Sequence, residues 1–218
     1  WAFGEIVNQA GVNGIVVESS GDLIQRNGTI EFTNVGDITV KRNSTPLNRL
    51  DYTMWSSPVS GSQTLKLFSP QTSSTRFYSY DTFSDKFVSI NSNTIPVAGS
   101  GYLIRMPNNW ASNEYLTPPT DTPQGPPASW TGVFTGVPNA KNLVLPLNLS
   151  NNGYNMIGNP YPPSINANTF LGVNSDGSGN ITGTLYFWRR TNDVVPGVGA
   201  NAYYATYTLA GGAGTSAS

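Results

Sequence analysis

The 218-residue chain has no histidine and no cysteine. Disulfides, thiol nucleophiles, Cys or His zinc sites and every His-based triad are thereby excluded. Charge is scarce too: Asp, Glu, Lys and Arg make up 11% of the chain, well below the roughly 25% of an ordinary soluble domain. A formal net charge of -1 creates no field to gather nucleic acid or an anionic membrane. Basic residues cluster no further than Lys41-Arg42 and Arg189-Arg190, so nucleic acid is not an expected partner. No apolar run approaches the roughly 20 residues of a membrane-spanning helix. The chain opens on Trp1 and runs out in Gly211-Gly212-Ala213-Gly214-Thr215-Ser216-Ala217-Ser218. It reads as an internal piece of a longer protein, so a missing leader says nothing of compartment.

What is abundant is Gly, Pro, Asn, Ser and Thr, which must build a polar but weakly charged surface. Helical periodicity is almost absent, while short runs of Val, Ile, Thr, Tyr and Phe recur between turn residues. The predicted strands are 14–17, 28–32, 37–40, 52–55, 76–80, 87–90, 102–106, 143–147, 154–157, 184–188 and 202–208. Many short strands with frequent turn signals predict an all-β chain built as a sandwich or jelly roll. One short helix is expected over 166–171, capped by Ser164, with Phe170 and Leu171 closing an edge of the core.

Four regions follow from the pattern. Residues 1–45 hold short strands eight to ten residues apart, separated by Gly or Asn. That rhythm suits the last coils of a β-solenoid, two hairpins of the sandwich being the alternative. Residues 46–115 and 131–218 read as two related β units. Tyr52-Thr53-Met54-Trp55-Ser56-Ser57-Pro58-Val59 aligns without gaps on Tyr154-Asn155-Met156-Ile157-Gly158-Asn159-Pro160-Tyr161, with Tyr, Met and Pro in register. Arg76-Phe77-Tyr78-Ser79-Tyr80-Asp81 likewise matches Thr184-Leu185-Tyr186-Phe187-Trp188-Arg189. Ala98-Gly99-Ser100-Gly101-Tyr102-Leu103-Ile104-Arg105-Met106 has no counterpart in the second unit, which reads as truncated at its C-terminal end. Between the units, 116–130 is a Pro-rich linker of loop or polyproline character. The two units either form a sandwich each or share one.

Leu50-Asp51-Tyr52-Thr53-Met54-Trp55-Ser56-Ser57-Pro58-Val59, Phe68-Ser69-Pro70, Arg76-Phe77-Tyr78-Ser79-Tyr80, Met156-Ile157-Gly158-Asn159-Pro160-Tyr161-Pro162 and Leu185-Tyr186-Phe187-Trp188 resemble a recurrent module of large secreted surface proteins of Bacteroidota. There the module precedes a C-terminal sorting domain. The resemblance spans essentially the whole chain. It implies export through the type IX secretion system, whose machinery would be a transient partner, and residence outside the cell or on its outer surface. It implies no particular chemistry.

The residues themselves point away from catalysis. Twelve acidic residues form no pair of the kind glycosidases need, beyond Asp81 and Asp85 flanking one turn. Asp51, near Arg49, reads as a structural ion pair or hydrogen-bond acceptor. No S-x-x-K or G-x-S-x-G pattern is present. Asn174-Ser175-Asp176-Gly177-Ser178-Gly179-Asn180 resembles the opening of a calcium loop, with Asp176 as its single carboxylate. Lacking the closing bidentate glutamate, it reads better as a turn. No cofactor is expected, a weak Ca²⁺ site at Asp176 being the alternative. Four N-x-S/T sequons, at Asn27, Asn43, Asn148 and Asn180, follow from the Asn- and Thr-rich composition. Aromatic residues are 11% of the chain. Trp110, Tyr115 and Trp130 flank the Pro-rich segment and are the candidate ligand-binding residues, against a reading in which they pack on prolines to pin the loop. Trp55 and Trp188, inside predicted strands, are expected in cores. The resulting expectation is a non-enzymatic structural or display module whose partners are other domains of the same chain. A carbohydrate-binding or adhesive module, taking surface glycans or surface proteins on loop aromatics, is the alternative.

Overall fold

One eight-residue strand, Thr131–Pro138, carries buried residues at every second position and joins two others. The computed structural model describes residues 2–25, 31–110, 114–115, 123–124, 127–175, 181–188 and 204–213. It is all-β with two short helices. In chain order the elements are β1 (Val16–Val17), β2 (Ile38–Asn43), β3 (Tyr52–Trp55), β4 (Val59–Ser60), α1 (Leu65–Phe68), β5 (Phe77–Asp81), β6 (Lys86–Ser89) and β7 (Tyr102–Arg105). There follow β8 (Glu114–Tyr115), β9 (Pro123–Gln124), β10 (Thr131–Pro138), α2 (Ala167–Asn174), β11 (Thr184–Trp188), β12 (Tyr204–Thr208) and β13 (Gly211–Ala213). No described helix is long and apolar enough to cross a membrane.

The chain forms two compact units, residues 1–164 and 165–218. The first holds two four-stranded sheets, ordered β1-β2-β10-β4 and β3-β7-β5-β6. Val17, Ile38, Val40, Val59 and Phe134 from the former meet Trp55, Phe77, Tyr102 and Ile104 from the latter in one buried cluster. Helix α1 adds Leu65 and Phe68 to it. Thr64 caps that helix, its hydroxyl accepting from the Leu67 N–H at 3.2 Å. Trp55, Phe68, Trp130 and Phe134 form its centre, with ring centroids 4.4 to 6.1 Å apart and mostly edge-to-face.

β10, the longest strand, was not anticipated from the sequence. Its inward residues include Gly132 and Gly136, which weaken the apolar alternation that marks a strand. The glycine at 132 is there for space: a Cβ would lie 2.8 Å from Phe68 Cζ and 2.9 Å from Trp55 Cζ3. Because β10 pairs antiparallel with both β2 and β4, its residues pair within the first unit. The contacts accordingly divide the chain after residue 164, not at the Pro-rich segment. That segment carries a two-stranded pairing, Glu114 opposite Gln124 and Tyr115 opposite Pro123, where loop or polyproline was expected.

The lead-in corrects both sequence readings. Ala2 pairs with Gln25, Val7 with Val35, Val16 with Thr39 and Val17 with Val40, all parallel. Hairpins would make these neighbours antiparallel. No solenoid forms among the described residues either: there are two stacked passes, and the second is closed off because β2 takes β10 antiparallel on its other side. Backbone bonds join the passes, Asn8 N–H to Val35 O and Val35 N–H to Ile6 O both at 2.8 Å, and side-chain amides add bonds within and between them. Gln25 and Asn34 exchange reciprocal amide hydrogen bonds at 2.9 and 2.8 Å. The Asn8 amide donates to Gly11 O at 2.7 Å and Asp37 O at 2.6 Å.

The second unit contains α2 and the antiparallel meander β11-β12-β13. The expected helix is present, but its cap is Asn166, whose side chain accepts from the Thr169 N–H at 3.0 Å. Ser164 instead donates its N–H to Asp22 Oδ1 at 2.9 Å. Leu171 is fully buried, and the Tyr207 hydroxyl donates to Asn168 Oδ1 at 2.9 Å, tying β12 to the helix.

Gly132→Ala is expected to destabilise the first unit by about 1–3 kcal/mol, the usual result of forcing atoms into a packed core, measured by urea unfolding. An unchanged midpoint would show the two rings to be far more yielding than their packing indicates.

Candidate functional site

The sheet β3-β7-β5-β6 buries one face and presents the other. Trp55, Phe77, Tyr102 and Ile104 point into the core, so their sequence neighbours point outward. Register then sets these outward residues in rows. Tyr52 on β3 lies opposite Arg105 on β7. Phe77 lies opposite Ile104 and Tyr78 opposite Leu103, which brings Arg76 beside Arg105, whose N–H donates to Arg76 O at 3.2 Å. One row therefore reads Tyr52, Arg105, Arg76 across three strands. The next reads Met54, Leu103, Tyr78, and beyond it Tyr80 pairs with Phe87. Tyr52 and Tyr78 meet edge-on at 5.9 Å, and Tyr80 and Phe87 at 5.3 Å. All four rings are half-buried.

Electrostatics at this end of the face are one-sided. Arg76 Nη1 donates to the Tyr78 hydroxyl at 3.5 Å, and Arg105 Nη2 donates to Asn108 Oδ1. Arg105 Nε is buried with no hydrogen-bond partner among the described residues. The ion pair found among the described residues, Lys41 with Glu18 at 2.8 Å, is elsewhere. Arg105 is pushed below the ordinary arginine value, first by burial and then by Arg76 and Arg49, with Tyr52 and Tyr78 opposing. Arg76 is raised, chiefly by its hydrogen bond with the Tyr78 hydroxyl. Tyr52 is raised by burial first and by Tyr78 next, while Arg76 and Arg105 pull the other way. The Arg76 and Arg105 guanidinium groups thus stand together, and no ion pair to either is found among the described residues.

One sequence family, described as "Domain of unknown function (DUF8693)", matches residues 4–216. The chain belongs to this family. No curated protein and no solved structure matches it.

In this DUF8693 domain the aromatic candidates from the sequence do not come together. Trp130 sits against the core, edge-on to Trp55 at 5.4 Å and Phe68 at 5.3 Å, with its N–H held by Ser44 Oγ at 2.9 Å. Trp110 is half-buried and donates its indole N–H to Leu47 O at 3.3 Å. Tyr115 lies in β8, with its side chain outside the described residues, and Asp176 lies outside them altogether. The described residues hold no group of three or more His, Cys, Asp or Glu placed for a metal ion.

The carboxylates serve turns and loops. Asp51 Oδ2 is buried and accepts from the Asn48 N–H at 2.8 Å. Asp81 accepts from the Ser84 hydroxyl at 2.5 Å and from the Phe83 and Ser84 N–H groups at 3.1 and 3.2 Å. The Ser84 hydroxyl most of all holds its carboxyl below the usual range; burial opposes it, and each of those N–H groups adds a smaller lowering. Asp85 stands at φ +56° and accepts from the Tyr80 hydroxyl and, at 2.6 Å, from the Asn152 amide. The Tyr52, Tyr78, Arg76 and Arg105 group was missed because the alternation within each strand does not say which strands are neighbours.

Burial is the leading cause that raises Tyr52, Tyr161 and Tyr204 above the ordinary tyrosine value, about 10 in an unfolded chain. The folded protein therefore holds these protons more tightly. Their contribution to stability is full below about pH 10 and is lost as pH rises through the higher folded-state values. The urea midpoint is expected to fall steeply above about pH 10, and Tyr52→Phe to reduce that slope; a flat alkaline profile would refute the burial effect.

Proposed function

We propose that this DUF8693 domain is a non-enzymatic structural and display module of a large secreted protein. On this reading the β units space and present neighbouring domains of the same chain. The observation that carries it is the way the two copies of the Tyr-x-Met motif interlock. β3, the first copy, pairs with β7 from Tyr52 to Trp55. Where it leaves, the second copy takes over the adjoining stretch: Ile157 bridges Ser100, and Gly158 N–H donates to Gly99 O at 2.9 Å. The polar residue before each proline braces its turn: Ser57 Oγ donates to Val59 O at 2.6 Å, and Asn159 Oδ1 accepts from Tyr161 N–H at 2.9 Å. Asn139 then holds both turns, donating its backbone N–H to Pro58 O at 3.3 Å and its side-chain amide to Pro160 O at 2.8 Å.

Such a lock gives rigidity without disulfide, metal or cofactor, as a spacer outside the cell requires. Placement outside the cell, and export by the type IX route, rest on the motif resemblance. The carbohydrate-binding alternative draws its support from the tyrosine-rich outer face of the β3-β7-β5-β6 sheet rather than from loop tryptophans.

Asn139→Ala is expected to lower the stability of the first unit by about 1–3 kcal/mol, the cost of leaving a buried carbonyl such as that of Pro160 unpaired. Calorimetry should show this as a shifted but still cooperative transition. For location, protease applied to intact producer cells is expected to remove the domain from the full-length parent protein. Complete protection until the cells are lysed would overturn the display reading.

A further inference from the structure

The row Tyr52, Arg105, Arg76 sets two like charges side by side. Like charges directly opposite one another across strands are destabilising, and here two guanidinium groups stand on adjacent strands with Arg49 close enough to affect Arg105. No carboxylate among the described residues comes within ion-pair distance of any of the three. Asp51, adjacent in sequence to Tyr52, is buried and accepts from the Asn48 N–H. In a chain with only 11 Lys and Arg residues, two set side by side at one end of a sheet face are a concentrated source of positive potential. Arg76 is exposed, so its fork is accessible to an oxyanion from solvent, while Arg105, half-buried with its Nε covered, adds its charge beside it. Guanidinium forks match carboxylate and sulfate groups in a bidentate way.

The rings supply the other half of the chemistry. Tyr52 lies in the arginine row, and Tyr78 is one row away, within reach of Arg76. A partner that fits presents an apolar ring face and an oxyanion at alternating positions a few ångströms apart. Nucleic acid fits less well, because the chain as a whole carries a net charge of -1 and has no wider basic track to follow a phosphate backbone.

We propose that the outer face of the β3-β7-β5-β6 sheet, at Tyr52, Tyr78, Arg76 and Arg105, binds an acidic polysaccharide. Arg76 and Arg105 grip its carboxylate or sulfate groups, and the Tyr52 and Tyr78 rings pack against the sugar. This goes beyond the display role and does not depend on it, since a module can space domains with or without a ligand of its own.

The test is direct binding of the whole chain to polygalacturonate and to dextran sulfate at low salt, with neutral dextran and poly-glutamate alongside. Binding to at least one acidic polysaccharide is expected, weakening as salt is raised, with none to neutral dextran. Arg76→Gln and Arg105→Gln should each weaken it about tenfold or more, the scale of one charge-assisted hydrogen bond. Lys86→Gln, which removes one charge elsewhere on the same sheet, should change it less than about twofold, because the proposal requires a site and not net charge. Arg76 is exposed, so Arg76→Gln carries the test if Arg105→Gln lowers the unfolding midpoint. No binding to either acidic polysaccharide would overturn the proposal. So would unchanged binding by Arg76→Gln, equal loss in Lys86→Gln, or poly-glutamate bound as tightly as the glycans.

Discussion

Everything in the first unit hangs on one contact: the knot of Trp55, Phe68, Trp130 and Phe134 between its two sheets. These rings come from β3, α1, the approach to β10, and β10 itself, so each anchors a different stretch of chain to the same point. Burying large aromatic surfaces is the strongest driving force available to a chain without disulfides. The knot also dictates the sequence around it. Gly132 has no side chain because Phe68 and Trp55 already occupy that space. β10 can therefore lie close over the rings, pairing with β2 on one side and β4 on the other.

Around this centre the scarcity of charge has a structural counterpart. Where other proteins would use ion pairs, this one uses amides and hydroxyls to finish what the backbone leaves open. Gln25 with Gly4 O, Asn34 with Ile6 N–H and Asn8 with Asp37 O tie the two passes of the lead-in. Ser57 and Asn159 brace the proline turns, and Asn139 ties the turns together. Neutral groups suit this task, since their bonds are not screened by salt and burying them costs far less than burying charge. Against that background the guanidinium groups of Arg76 and Arg105 stand out, set side by side with no ion pair to either found among the described residues.

Much of the local structure was legible. The predicted strand at 52–55 appears residue for residue as β3, and those at 76–80, 87–90, 102–106 and 184–188 appear within a residue or two. Residues 143–147 were misread: Val144 is 90% exposed and the stretch forms no strand, since an alternating apolar run becomes a strand only where an edge is available to receive it. β10 was missed for the converse reason, its inward glycines hiding a strand that the rings of other elements complete. The candidate face was legible only in part. Outward alternation of Tyr52 and Met54, and of Arg76, Tyr78 and Tyr80, can be read within each strand. That these strands flank β7, which sets Arg105 between Tyr52 and Arg76, could not.

By itself the sequence determined the exclusions and the local forms: no thiol or imidazole chemistry, an all-β chain, where most strands and the short helix lie, and which of their residues alternate. These are consequences of side-chain chemistry and of periods two and 3.6, which act over a few residues. Only the tertiary structure decided partnership. It made the lead-in passes parallel, carried β10 back into the first unit, let the second motif copy complete the ladder of the first, and sent Trp130 to the core while leaving Tyr52 and Tyr78 half-exposed beside arginines. Those choices depend on closing long loops and on the shape of a common core, and the physics that selects among them acts between residues far apart in the chain.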